Sequence, residues 1–334
     1  MSNEIYIDGI LQTWGERLFS EPVKSKTRAT KAILKAPKKK AEEGGSAKST
    51  SANSIRQKLK TTTKRVPEVV VKITGSGKNI KRIKAHMDYI SRNGEVELED
   101  QDGQIINGRD AVRDLRDDWR DGKHVIPTEE GTQRESFNIV LSMPAGTNRS
   151  TVTDAVRDFA EAEFGGKHDY VFAQHDDQPQ SHVHLLVKAR DYDGKRMNPR
   201  KADLQSWREK FADKLRERGI EANATKRPTR GIIKKPANQK QHWTEKKGTK
   251  ERYFPDKRPS DPFASATAAT HQKVLRSYKE VATALASSAE KEDLKLAKDI
   301  VSLVSEMPIV KGQGRVAELS IEKGPNQVQA DKEK

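Results

Sequence analysis

The sequence predicts an α+β fold, a central and mostly antiparallel sheet flanked by helices, with disordered basic segments on either side. Three observations lead there. Between Val66 and Arg230 the hydrophobic periodicity reads strand, helix, short strands, helix, strand, helix, strand, strand, helix. Two consecutive strand-like runs, DYVFAQH and SHVHLLVKARD, are joined only by DDQPQ, a short turn that pairs them antiparallel. The net charge of +15 is unevenly placed: residues 24–65 carry +12 and residues 226–258 carry +9, leaving −6 for the remainder.

Taken in order, residues 1–23 form a short amphipathic helix, with Ile10, Leu11, Trp14 and Leu18 at helical spacing. Residues 24–65 are rich in Lys, Ser and Ala and low in aromatics, the composition of a disordered linker. Order is expected from Val66, opening a domain over 66–231. EVVVKITG is β-branched and bounded by glycines, a buried strand. NIKRIKAHMDYISRNG places Ile80, Ile83, Met87 and Ile90 on one helical face and stops at Asn93-Gly94. VELE and QIIN are short strands, and RDAVRDLRDDWRDG is a charged helix with Val112, Leu115 and Trp119 inward. FNIVLSMPAGT is a strand broken by Pro144, TVTDAVRDFAEAEFGG a helix, and ADLQSWREKFADKLRERG a helix closed by Gly219. Residues 232–334 form a basic tail, with one weakly amphipathic helix over 271–306 and a frayed end.

Composition narrows the chemistry. With no cysteine, disulfides, zinc-thiolate sites, iron–sulfur clusters and thiol nucleophiles are excluded. No apolar run is long enough to span a bilayer and no secretory signal is evident, so a cytoplasmic protein without membrane insertion is expected. Clustered Lys and Arg in both flanks suit a polyanion, since they release counterions from phosphates; the plainer reading is that basic linkers only keep the chain soluble.

Three of the eight histidines fall within HDDQPQSHVH. His182 and His184, two apart on a strand, share a face, while Val183 and Leu185 point to the core. The turn brings His175 back across from them, and three imidazoles on one face chelate a divalent ion. Surface histidines on a polar strand face are the alternative. Three ligands with open positions make a catalytic arrangement, a Lewis acid on a carbonyl or phosphoryl oxygen. HExxH is absent, so a zincin protease lacks its base; a His-based oxygenase would take Asp177 as its carboxylate. The basic flanks favour a phosphodiester. GSGKN over 75–79 is not a phosphate loop, because Lys72 and Asn79 stand where glycine and Ser/Thr are required. Tyr89, on the first helix of the domain, is either a nucleophile that would make a phosphotyrosine or a packing residue with its hydroxyl at the rim.

MDYISRNGEVELE, NIVLSMPAGT and HDDQPQSHVHLLV resemble, in this order, the three motifs of the relaxase/mobilisation nuclease family, the P-type plasmid mobilisation relaxases that include the T-DNA border endonuclease. The first motif supplies Tyr89, Arg92 and Gly94; the second Ser142 before Pro144 and Gly146; the third His175, Asp177, His182 and His184. RKADLQSWREKFADKLRERGIEANATKRPTRG resembles the end of that catalytic domain. Relatives often carry asparagine where this chain has Lys188.

The resemblance implies a His-hydrophobic-His endonuclease-like fold and a site- and strand-specific DNA nickase. Such enzymes bind single-stranded DNA at an origin of transfer, use Mg²⁺ or Mn²⁺, and leave a 5′-phosphotyrosyl intermediate. Tyr89 would be the nucleophile, and His182 and His184 metal ligands. His175 would be the third ligand or the proton acceptor, with Asp177 orienting it. Ser142 and Arg92 would contact DNA. Relaxosome accessory proteins and the type IV coupling protein would be partners, and the protein would travel with the transferred strand. Rolling-circle replication initiators share the histidines but usually place tyrosine after them, and residues 85 and 93 are Ala and Asn rather than a second tyrosine. A non-catalytic DNA-binding mobilisation accessory protein is the other alternative.

Overall fold

The computed structural model describes residues 2–19, 51–232, 262–307 and 310, with the side chains of residues 2–3 and 262–267 left aside. They divide into two compact units, Val66–Ala224 and a second drawn from Met1–Arg65 and Thr225–Lys334. The second unit begins with α1 (Ser2–Ile10), a π-helical turn at Leu11–Gly15, α2 (Glu16–Phe19) and α3 (Ala52–Thr63).

The unit Val66–Ala224 contains six strands and four helices: β1 (Val70–Gly77), α4 (Ile80–Ile90), β2 (Leu98–Asp100), β3 (Ile105–Ile106), α5 (Arg109–Asp121), β4 (Ser136–Ala145), α6 (Arg149–Phe164), β5 (Tyr170–His175), β6 (Gln180–Lys188) and α7 (Lys201–Glu217). The strands form one sheet in the order β1-β4-β6-β5-β2-β3, and every pairing is antiparallel. This bears out the predicted α+β class. β4 runs through Pro144 rather than breaking there, and its register against β6 shifts between Ser142 and Ala145, where the proline offers no N–H to the ladder.

The side-chain alternation of the strands separates two cores. Phe137, Ile139, Leu141, Val183, Leu185, Val187 and Phe172 face α6 and α7, where Phe159, Phe164, Trp207 and Phe211 complete a buried cluster. Val171, Ala173 and Leu186 face the other way, onto Ile83, Met87 and Ile90 of α4 and Val112 and Trp119 of α5. Because α4 buries Ile80, Ile83, Met87 and Ile90, its remaining faces carry polar residues toward the solvent and toward the sheet edge. Asn79 caps α4, its side-chain oxygen accepting from Arg82 N at 2.9 Å, a contact worth about 1 kcal/mol.

The second unit closes with a short 3₁₀ turn at Pro228–Arg230, α8 (Pro262–Ala286) and α9 (Lys291–Ser305). Its core joins Ile7, Leu11 and Leu18 to Ile55, Leu59, Tyr278, Val281, Leu285, Leu296 and Ile300. Arg56 ties the helices together, donating to Asp8 at 2.8 Å and to both Asp293 oxygens at 3.0 and 3.1 Å.

Four sequence expectations change here. The linker over 24–65 contains α3, because Ile55 and Leu59, one turn apart, bury against partners more than two hundred residues away; residues 24–50 lie outside the described residues. The domain expected over 66–231 ends at Ala224, since Thr229 donates to Leu18 O at 2.6 Å and accepts from Tyr278 Oη at 2.9 Å, both in the helical unit. The single tail helix over 271–306 is two helices, turned at Ser287–Glu290 where Ser288 Oγ accepts from Glu290 N. The N-terminal helix is described to residue 19 and is interrupted by the π turn. The remaining tail, 233–261 and 311–334, also lies outside the described residues.

Candidate functional site

The strand register builds the site. Across the middle of the sheet one row of Cα partners runs Val70, Ser142, His182, His175 through β1, β4, β6 and β5. The next row runs Lys72, Val140, His184, Ala173. Directly opposed residues share a face of an antiparallel sheet, so Ser142 and all three histidines lie on the α4 side. Sequence spacing predicted this for His182 and His184, and the hairpin supplies His175.

His175, His182 and His184 are 2%, 9% and 8% exposed, and each offers a nitrogen within 4.8 Å of the others. Their ring centroids stand 4.4–5.6 Å apart. His175 Nε2 lies 2.8 Å from Ile90 O. A carbonyl only accepts, so Nε2 carries the proton and the lone pair sits on Nδ1. His182 Nδ1 likewise donates to Gln180 O at 3.2 Å, and its Nε2 lies 3.5 Å from the Asp177 carboxylate. His184 Nδ1 is buried with no hydrogen-bond partner among the described residues. Burial, then the His175 and His182 imidazoles, push His184 down to about 3, and burial lowers His175 too. Neutral imidazoles with free lone pairs are what a divalent metal requires, and the residues present fit one.

Tyr89 sits at the last turn of α4 and is 50% exposed. Its ring is edge-on to His184 at 5.4 Å and to His175 at 5.9 Å. The helix then ends in three successive left-handed residues, Arg92 (φ 51°), Asn93 (φ 58°) and Gly94 (φ 88°). A Cβ on Gly94 would stand 2.5 Å from Arg109 N and 2.6 Å from Gly108 C, so only glycine passes this close to the start of α5. This turn folds Arg92 back over the site, with its guanidinium 5.4 Å from the Tyr89 ring centroid, 3.5 Å from His175 Nδ1 and donating to Asp177 Oδ2 at 2.7 Å.

The resemblance implied that Asp177 would orient His175; here the ring nitrogen of His175 meets the Ile90 carbonyl, and the Asp177 carboxylate pairs with the charge of Arg92. Burial alone would raise Asp177, but Arg92 and His182 outweigh it and hold it below the usual carboxylate range.

Two residues near the site were not anticipated. His86, one helical turn before Tyr89, stacks on its ring at 6.0 Å and 25°. Burial and the nearby His175 push it down to about 4. Its i, i+3 spacing from Tyr89 was the available signal. Arg149 spans the hairpin turn, donating to His175 O at 3.0 Å, to Asp176 Oδ1 at 3.0 Å and to Gln178 O at 2.5 Å. Nothing local in the sequence marks that contact. Lys188, where relatives often have asparagine, is buried on the same face of β6 as His184 and pairs with Asp169 at 3.3 Å.

Comparison with known proteins agrees with the motifs. Residues 89–220 match the family described as Relaxase: MobA/VirD2-like, nuclease domain. The chain is similar to the T-DNA border endonuclease VirD2 of Rhizobium radiobacter, 28% identical over 201 residues, covering 52% of this chain and 46% of that protein. The proteins of the same name from Agrobacterium fabrum and Rhizobium rhizogenes are 28% identical over 194 and 188 residues, covering 52% and 51% of this chain and 43% of each relative. The chain spans about half the length of the curated relatives it matches. The resemblance to the relaxase family is borne out by both comparisons.

Proposed function

We propose that this chain, with its relaxase-like nuclease domain, is a site- and strand-specific DNA nickase and transesterase that opens one strand at an origin of transfer to begin conjugative transfer. One observation carries the reading: Tyr89 is half exposed and edge-on to two members of a buried three-histidine cluster. A phenol nucleophile beside a cation site is the pair of groups that transesterification at phosphorus needs.

His175 through Nδ1, His182 through Nε2 and His184 through a ring nitrogen would hold Mg²⁺ or Mn²⁺. When bound, the divalent cation supplies Lewis-acid stabilisation of charge on the phosphate oxygens. Tyr89 Oη, having lost its proton, attacks phosphorus. The P–O3′ bond breaks and the departing oxygen takes up a proton, leaving a free 3′ hydroxyl and the 5′ end on Tyr89. A ligand role for His175 is favoured over proton acceptance. Its lowered pKa and the Arg92 guanidinium at 3.5 Å both oppose a proton on Nδ1. Ser142, in the same row as His182, holds the strand by hydrogen bonding. Arg92 keeps N–H groups beyond its bond to Asp177 for a backbone phosphate.

The mobilisation-relaxase resemblance supports the wider setting. The substrate would be a bacterial plasmid or similar element, relaxosome accessory proteins and a type IV coupling protein would be partners, and the protein would pass with the strand through the secretion channel. Among the described residues no helix is long and apolar enough to cross a membrane.

The test is covalent trapping. The protein is incubated with a supercoiled plasmid carrying its candidate origin and Mn²⁺, and denaturing gels are read for a protein–DNA adduct. The adduct is expected with the natural protein and not with Tyr89→Phe. Linking by Tyr89→Phe would overturn the nucleophile; no linking by the natural protein would overturn the enzyme reading.

A further inference from the structure

A cleft of about 290 Å³ opens between α4 and α5 on the flank of the Tyr89 turn. Lys84, Met87 and Asp88 line it from α4, Arg109, Val112, Arg113 and Arg116 from α5, and Asn93 from the left-handed turn. Each helix presents one stripe, at i, i+3, i+4 on α4 and i, i+3, i+4, i+7 on α5, which is how two packed helices face one another.

The charge sorting on α5 is the telling feature. The helix RDAVRDLRDDWRD carries four arginines and five aspartates. Three of the arginines line the cleft, and none of the aspartates does. Lys84 is exposed and has no ion-pair partner among the described residues, and Arg109 donates only to Asn93 O at 3.3 Å. Arg113 and Arg116 pair with Asp110 at 2.9 Å and Asp117 at 2.8 Å. The Arg113 pair is exposed, worth a few tenths of a kcal/mol, and yields to a better anion. The half-buried Arg116 grips Asp117 through both Nε and Nη2 and adds its charge at the wall. Beneath these cations lies an apolar floor, the buried Met87 and Val112. Asp88 and Asn93 add one acceptor-only group and one amide at the wall. A ring of cations over an apolar floor suits a phosphate attached to something flat and less polar, and a single phosphate would leave most of the space unfilled.

We infer that this cleft is a subsite for one nucleotide of the DNA strand that continues beyond the phosphate attacked by Tyr89. Its phosphate lies on Lys84, Arg109, Arg113 and Arg116, and its sugar and base fill the cleft above the covered Met87 and Val112. The inference rests on the nickase reading. It adds that Asp88 and Asn93, which bracket Tyr89 and Arg92 in the chain, carry the linked strand away from the nucleophile on the α5 side.

The test uses full-length protein bearing Tyr89→Phe, so that binding is measured without linkage. Fluorescein-labelled oligothymidylate is titrated over a range of salt concentrations. Lys84→Gln combined with Arg113→Gln is compared with Lys214→Gln, a half-buried charge on α7 paired with Glu217. Weakening the hold on that one phosphate lowers the slope of log affinity against log salt by up to about 0.7, with several-fold weaker binding at low salt. Lys214→Gln leaves both unchanged. In methionine-methyl-labelled protein, the Met87 signal shifts on adding the oligonucleotide and stays put in the double variant. If slope and Met87 signal are the same with and without the two substitutions, the cleft assignment is overturned while DNA binding stands. If inorganic phosphate alone reproduces the Met87 shift, the nucleotide seat is overturned. If the parent binds no oligonucleotide, the DNA reading falls and the cleft with it.

Discussion

Asp177 faces Arg92 rather than His175: its Oδ2 accepts from Arg92 Nη2 at 2.7 Å while Oδ1 stands 3.5 Å from His182 Nε2. The carboxylate thus links the turn after Tyr89 to one histidine of the cluster. The pair is well exposed to solvent, so it adds less than about 1 kcal/mol to folding. Asp177→Asn should leave the melting temperature nearly unchanged and weaken Mn²⁺ binding by about 10–100-fold. Isothermal titration calorimetry decides; equal Mn²⁺ affinity in the two proteins would remove Asp177 from the metal's surroundings.

Tyr89→Phe keeps the half-buried ring and removes only the hydroxyl, so stability should change by no more than about 0.5 kcal/mol. Mn²⁺ affinity should also persist, because the proposed ligands are the three histidines and not the phenol. A variant that loses metal binding along with linkage would show that the hydroxyl serves the metal rather than the phosphate.

Acid should destabilise the metal-free protein through His86 and His184. Burial first, and the neighbouring His175 next, push them down to about 4 and about 3 in the folded state. The unfolded chain, near the ordinary value of about 6.5, then binds more protons than the native one. Stability is full above about pH 6.5 and declines as the pH falls toward about 4. Urea midpoints across that window should drop, and His86→Asn should flatten the slope. A flat profile in the natural protein contradicts the buried, neutral state of these rings.

Gly94→Ala combines a φ of 88° with a Cβ 2.5 Å from the Arg109 backbone. Left-handed strain of about 1–2 kcal/mol and a backbone displacement of about 1–3 kcal/mol should together cost about 2–5 kcal/mol. Chemical denaturation measures it. A loss below about 1 kcal/mol would mean the turn relaxes freely, and that Arg92 is not held over the site by it.

Much of this was readable in the chain because the relevant forces are local. Ile80, Ile83, Met87 and Ile90 mark α4 by spacing alone, and strict alternation puts His182 and His184 on one face before any partner strand is known. What escaped depends on long-range partners. Ile55 and Leu59 are two apolar residues in a run of Lys, Ser and Thr, and only α9 and its neighbours make them a core. The same holds for Asp177: the resemblance implied His175 as its partner, whereas Arg92, 85 residues away, takes the carboxylate by charge. Arg149 closes the hairpin turn through two backbone carbonyls and Asp176, and no spacing rule announces that.

The cross-strand rows make the site sensitive to the reading of the gene in an unusual way. Ser142, His182 and His175 occupy one rung of the sheet, and side chains alternate faces with every residue. A single codon inserted within β6 between His184 and the paired core residues would turn both histidines toward α6 and α7, abolishing the cluster. Two codons would restore the face but slide the pair one rung away from Ser142 and His175. Extra residues in the turn at 176–179 leave both rungs in register but displace Asp177 and the groups that Arg149 holds. Tolerance to small insertions should therefore follow parity within the strand, a signature that deep insertion scanning of this segment reads directly.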